Sequence, residues 1–119
     1  MHSLAIPIEK QRGLQALRLL VRQAELESEK IIGQKPTSLR LKPMKSQWGS
    51  CNSEGIIAIN TKLMYLSDRL VRYVVHHEVV HLKIHSHDRN FRKLVEVLFP
   101  DRLILDRQLR QAAGILRQK

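Results

Sequence analysis

The segment at residues 68–84, DRLVRYVVHHEVVHLKI, constrains the fold most, because it is apolar on nearly every side of a helix. Ser67 is a suitable N-cap and Asp68 suits a first helical turn, so a helix is predicted from Asp68 to about residues 84–86. At 100° per residue, its apolar positions cover most of the circumference. The remaining polar residues form one narrow stripe, namely Arg69, Arg72, His76 and Lys83. The pattern predicts a central helix that other elements pack on most sides, with the stripe, His76 included, facing water.

Helices and short strands are predicted on both sides of this segment. The predicted elements are a helix in residues 1–33, strands within residues 38–60, and further helices in residues 88–117. Asp88 has the character of an N-cap, and Pro100 separates the last two helices. The expected fold class is α+β, with a small, mostly antiparallel sheet packed on the central helix and on flanking helices. Residues 1–119 are expected to form a single domain.

The composition permits a folded domain and favours a reducing compartment. The chain has 119 residues, of which 43% are hydrophobic, and its one cysteine, Cys51, excludes an intrachain disulfide. The apolar patch at residues 4–8 is interrupted by Pro7 and is too short for a secretory signal. No apolar run approaches the 18 residues of a membrane span. We therefore expect a cytoplasmic protein without a membrane-spanning segment.

The basic charge of the chain is strong but scattered. The formal net charge is +10, which attracts polyanions, yet no run of four basic residues occurs. The few aromatic residues do not alternate with basic ones, as a base-stacking surface requires. A solvated basic surface is therefore the favoured interpretation. Nucleic-acid binding stays open, without a feature that supports it.

The central helix carries the HExxH pattern at residues 77–81. His77 and His81 are four residues apart, so their imidazoles lie on one side of a helix and can bind one metal ion. Glu78 lies 100° from His77, where it can reach metal-bound water without being a ligand. The pattern arises by chance in a chain of this composition with a probability of roughly 2%, so a third ligand is needed to strengthen the prediction.

Two further histidines, His85 and His87, are candidates for the third ligand. On a straight helix the Cα atoms of residues 77 and 85 would be about 12 Å apart, too far for both side chains to reach one ion easily. His87 reaches it if the helix ends near residues 84–86 and the chain turns back. His87 is therefore the predicted third ligand and His85 a near neighbour or an exposed residue. Glu96 is the main rival ligand.

This ligand set predicts a zinc-dependent peptidase with one zinc ion per chain. Three protein ligands leave the fourth zinc position open to water, whose pKa falls to about 7. Glu78 then takes a proton from this water and passes it to a leaving amine. Two alternatives remain open. A metal-dependent nucleotide or phosphate-ester hydrolase lacks a glycine-rich phosphate cradle here. In a non-catalytic, metal-stabilised module that binds polyanions, Glu78 would have no task.

Three motifs resemble one known family. The stretches QWGSC at 47–51, GIIAIN at 55–60 and YVVHHEVVHLKIHSHDRNF at 73–91, followed by FPD at 99–101, resemble the YgjP-like metallopeptidase family, which is close to the SprT-like and WLM zincins. The resemblance implies a zincin-like fold, a peptide or protein substrate, metal ligands at His77, His81 and His87, and a catalytic glutamate at Glu78. This chain departs from the family in Gln47, where an arginine is usual. It also has a shorter region before the first motif.

The WGSC stretch permits both a structural and a functional interpretation. Trp48 is typical of a core or hairpin residue, Gly49 of a turn, and Cys51 of a small buried residue. Alternatively, this hairpin and the strand at 56–60 flank the metal, and an extended peptide pairs with the edge strand. The candidate substrate-binding residues are Trp48, Gly49, Ser50 and Asn60, of which Asn60 could close the site.

Overall fold

The computed structural model describes residues 8–117, and their side chains from residue 13 onward. Residues 4–7 of the N-terminal apolar patch lie outside this part of the chain. The regular elements are α1 (Ile8–Ile32), β1 (Ser38–Lys42), β2 (Gly49–Cys51), β3 (Ile56–Asn60), α2 (Asp68–Val80), α3 (Arg89–Leu98) and α4 (Arg102–Gln111). Short 3-10 helices at Thr61–Tyr65 and Ala112–Arg117 follow β3 and α4. The α+β class predicted from the sequence is confirmed.

Helix α2 lies at the centre, packed by α1, the sheet, α3 and α4. Val75 and Val79 on one side of it, and Val80 on another, are fully buried. The hydroxyl oxygen of Ser67 accepts a hydrogen bond from the Leu70 N–H at 3.3 Å, so the predicted N-cap is confirmed. The helix ends at Val80, earlier than residues 84–86, and a turn begins at residue 81. This earlier end lets the chain reverse before α3.

The prediction that His76 faces water is wrong. Its side chain is fully buried because α1 and α3 cover that side of α2. The Nε2–H of His76 donates to the Leu94 carbonyl at 3.1 Å, which leaves Nδ1 to accept from the Ser28 hydroxyl at 2.9 Å. Burial lowers the pKa of His76, so the neutral imidazole joins the three helices. A helical wheel shows which residues are polar, but not which elements pack on them.

The sheet is mixed, so the expectation of a mostly antiparallel sheet is also wrong. Its strand order is β1-β3-β2, with β1 parallel to β3 over five residue pairs and β2 antiparallel to β3 over three. The tight turn at Asn52–Gly55, where Gly55 has φ +79°, makes β2 and β3 a hairpin. After β1 the chain crosses β3, so that β2 pairs with β3 on the side opposite β1. The sequence pattern of a strand does not show on which side of its neighbour it pairs.

The C-terminal elements fit the predicted boundaries in part. The Asp88 carboxylate caps α3 by accepting from the Phe91 N–H at 3.0 Å, as predicted. The last helix was predicted to reach about residue 117, but it tightens into a 3-10 helix at Ala112. Arg69 on α2 donates two hydrogen bonds to Asp101, which ties the start of α4 to the central helix. Among the described residues, no helix combines the length and apolarity needed to cross a membrane.

Candidate metal and catalytic site

Three histidine rings converge at the C-terminal end of α2. His77 lies in its last turn, His81 directly after it, and His87 in the loop before α3. The Nε2 atom of His87 lies 3.1 Å from Nε2 of His81 and 3.4 Å from Nε2 of His77. One ligand nitrogen from each ring lies within 4.8 Å of the other two. The turn after Val80 brings His87 back over the helix end.

These distances fit a single bound cation. Nitrogen ligands at about 2.0–2.1 Å in tetrahedral geometry are separated by about 3.3 Å along each edge. The two observed nitrogen separations, 3.1 and 3.4 Å, lie on either side of that value. The third pair, His77 and His81, lies within 4.8 Å, so the three nitrogens suit a single ion such as zinc.

The surroundings favour the neutral form of His77 and His81 and orient the His81 ring. The Nδ1–H of His81 donates to the Ile84 carbonyl at 3.0 Å, which leaves Nε2 as the free acceptor for a metal. Burial, together with the neighbouring histidines, lowers the pKa of His77 to about 3. Phe91 packs against all three rings, at 4.4 to 4.9 Å between centroids. The sequence gives no signal of this role for Phe91.

Glu78 lies beside the histidines but outside their nitrogen cluster. Its side chain is buried, and burial raises its pKa from 4.5 to about 7. A carboxyl group that titrates near neutral pH suits proton transfer.

Two cavities meet at Glu78. The apolar-walled cavity, of about 250 Å³, is lined by Gln47, Trp48, Gly49, Tyr73, Val74, His77, Glu78, Asp106 and Leu109. The histidine cavity, of about 380 Å³, is lined by Gln47, Gly49, Ser50, Cys51, His77, Glu78, His81, His85 and His87. Both cavities share Gln47, Gly49, His77 and Glu78. A substrate that fills both would therefore pass the carboxylate.

Of the predicted substrate-binding residues, three line these cavities and one does not. Trp48 lines the first and Ser50 the second, while Gly49 lines both. Trp48 also serves the structure, because its Nε1–H donates to the Leu109 carbonyl at 3.3 Å. Gly49 lies in strand β2 rather than in the expected turn.

The structure gives Asn60 a different place from the predicted one. Its side chain is fully buried and lines neither cavity. The Nδ2 group donates to the carbonyls of Met44 at 3.0 Å and Gln47 at 2.8 Å, and Oδ1 accepts from the Lys62 N–H. The Asn60 side chain therefore holds the loop that leads into β2.

The two rival ligands, His85 and Glu96, lie outside the nitrogen cluster. His85 is exposed and lines the histidine cavity, but its ring lies outside the nitrogen cluster. Glu96 accepts a hydrogen bond from Arg102 at 2.9 Å and belongs to an ion pair between α3 and α4.

The raised pKa of Glu78 predicts a pH-dependent stability difference in metal-free protein. The folded state holds this proton more tightly than the unfolded state, so ionisation lowers stability as the pH rises from 4.5 through 7. Glu78→Gln removes that penalty, and we expect it to raise the free energy of unfolding by about 3 kcal/mol at pH 8 and by little at pH 4.5. Urea unfolding at both pH values measures the difference. The exposed Glu54→Gln is the control, and an equal effect of Glu78→Gln at both pH values contradicts the assignment.

Comparisons with known proteins give the same picture. The fold is similar to two solved metallopeptidase zymogens, each with a TM-score of 0.65. Abylysin of Pyrococcus abyssi is 24% identical, and the match covers 76% of this chain and 93% of that one. Jannalysin of Methanocaldococcus jannaschii is 19% identical, with 81% and 95% covered. A comparison with curated proteins finds no match. The family model described as YgjP-like, metallopeptidase domain, matches residues 11–112, and the chain belongs to this family of metallopeptidases.

Proposed function

We propose that this metallopeptidase is zinc-dependent and that His77, His81 and His87 hold one zinc ion per chain. Glu78 is the general base, and the substrate is a peptide or a protein. The observation that carries the proposal is the convergence of three imidazole nitrogens beside a buried carboxylate, at the meeting of two cavities. Three imidazoles with an open fourth position are a ligand set of catalytic zinc sites.

The chemistry divides between the metal and the protein. When bound, a zinc ion acts as a Lewis acid that acidifies water and polarises the scissile carbonyl. A nearby cation also favours the ionised form of Glu78, whose pKa burial alone raises to about 7. The Glu78 carboxylate then takes a proton from the attacking water and delivers it to the nitrogen of the leaving amine.

Strand β2 is the proposed guide for the substrate. It is an edge strand of the sheet, and Gly49 and Ser50 line the histidine cavity. An extended peptide can add to such an edge through main-chain hydrogen bonds. Trp48 lines the apolar-walled cavity, and its proposed task is to contact a substrate side chain there. Because Asn60 holds the loop before β2, its proposed task is to support this edge rather than to touch the substrate.

The cytoplasm is the proposed location, because a single cysteine suits a reducing compartment. The family of the chain gives no support to the phosphate-ester alternative. The basic residues of the chain are scattered, so they do not indicate a nucleic-acid-binding surface.

A parallel assay tests the proposed chemistry. Purified protein is incubated with casein and, separately, with nucleoside triphosphates, each with and without a chelator. We expect casein to be cleaved, cleavage to stop with the chelator, and zinc to restore it. Hydrolysis of the triphosphates alone, or casein cleavage that resists chelation, contradicts the proposal.

A further inference from the structure

Gly49 is a glycine for steric rather than conformational reasons. Among the described residues, only Gly33 and Gly55 have positive φ, so the backbone of Gly49 is open to any residue. A Cβ atom at this position would lie 3.0 Å from Cγ of Glu78 and 3.1 Å from its Oε2. Such separations are shorter than ordinary van der Waals contact. Strand β2 therefore passes so close to Glu78 that residue 49 has no free space for a Cβ atom.

The strand is also prevented from moving away. Gly49 pairs with Ile59 on β3, and the Asn60 N–H donates to the Trp48 carbonyl at 2.9 Å. The Asn60 side chain holds the Gln47 carbonyl at 2.8 Å on the same approach to the strand. With the backbone held on this side, a Cβ atom at residue 49 has to push the side chain of Glu78 or Val74 aside by a few tenths of an ångström.

We propose that Gly49 is a positioning residue for Glu78, an inference that rests on the proposed role of Glu78 as general base. The backbone of β2 at Gly49 forms one wall of the pocket around the Glu78 carboxylate. This wall limits the rotamers in which Glu78 faces both cavities. Asn60 keeps this wall in place. Gly49 acts on the reaction through Glu78 and not through contact with the metal.

The test is Gly49→Ala in the metal-loaded enzyme. Misplacement of a reacting group by about 1 Å can cost about 100-fold in rate, and the shift expected here is a few tenths of an ångström, so we expect kcat for a peptide substrate to fall about 3- to 10-fold. KM and metal content are expected to stay within about threefold of wild type, since substrate and metal contacts remain. Gly114→Ala is the matched control, because no atom lies within 4 Å of a Cβ there, and it is expected to leave kcat unchanged. A wild-type kcat in Gly49→Ala overturns the proposal.

A second variant distinguishes the effect of contact with Glu78 from the effect of contact with Val74. The new Cβ would also lie 3.1 Å from Cγ1 of Val74, so general crowding of the helix is a rival cause. Adding Val74→Ala removes that contact and is expected to leave kcat low. Full recovery of kcat in Gly49→Ala/Val74→Ala assigns the effect to crowding and overturns the proposal.

Stability provides a readout that does not depend on activity. In a double-mutant cycle with Glu78→Ala, the loss of stability from Gly49→Ala is expected to shrink once the Glu78 side chain is removed. If Gly49→Ala alone does not fold, the double variant is expected to regain folding. If the two substitutions have additive effects on stability, or if the double variant stays unfolded, the proposed contact between residue 49 and Glu78 is wrong.

Glu78→Gln, measured beside these variants, tests the role of Glu78 separately from that of Gly49. If Glu78→Gln retains full activity, the proposed role of Glu78 fails. If Glu78→Gln is inactive while Gly49→Ala turns over like wild type, only the positioning role of Gly49 fails.

Discussion

Replacing Glu78 by glutamine is expected to abolish peptide hydrolysis while leaving the metal bound. Glutamine has almost the volume of glutamate, so the buried site between the two cavities should keep its shape. Its amide cannot accept a proton from the attacking water, and loss of a general base typically lowers the rate by about 100- to 10,000-fold. The measurement is kcat/KM on a peptide substrate, together with metal content by elemental analysis.

The two readouts distinguish a base from a ligand. Glu54→Gln makes the same chemical change at an exposed turn and is expected to retain full activity. Loss of metal along with activity in Glu78→Gln would show that the carboxylate is a ligand or a structural group. Retained activity would show that another group takes the proton.

Replacing His87 by alanine is expected to remove the metal and, with it, the activity. The other two rings lie on or directly after α2, whereas His87 reaches them from the loop before α3, with Nε2 separations of 3.1 and 3.4 Å. Without it, two imidazoles remain to bind the ion. Because loss of a group that merely supports a ligand costs about 10- to 100-fold in metal affinity, we expect loss of a ligand to cost at least about 100-fold. Titration with zinc against a chelator of known affinity measures this change.

His85→Ala is the matched control for this loop. His85 lies two residues earlier, is exposed and lines the same cavity, but it is not part of the nitrogen cluster. We expect it to bind zinc as wild type does. The reverse result, with zinc lost in His85→Ala and kept in His87→Ala, would exchange the two residues in the ligand set.

Local helix geometry explains why the histidines could be predicted from sequence. The i, i+4 spacing places His77 and His81 together, and because α2 ends at Val80, His85 does not continue their row. The N-cap at Asp88 signalled the reversal that carries His87 back. These inferences depend on residues close together in the chain.

The errors come from contacts between distant parts of the chain. His76 is buried by Ser28 on α1 and Leu94 on α3, which a helical wheel of α2 cannot include. Asn60 turns toward carbonyls 13 and 16 residues earlier, so its amide is used inside the fold. The positioning role proposed for Gly49 depends on how closely β2 approaches α2, which no local pattern encodes.

X-ray absorption at the zinc K-edge of the zinc-loaded protein tests the central claim most directly. In the wild-type protein we expect zinc to be bound by three imidazole nitrogens at about 2.0–2.1 Å and by one further light-atom ligand. In His87→Ala we expect any zinc that remains bound to have two imidazole ligands. Cys51 lines the same cavity as the histidines. A sulfur ligand at about 2.3 Å, or only two imidazoles in the wild-type protein, would contradict the assignment of His77, His81 and His87 as the metal ligands.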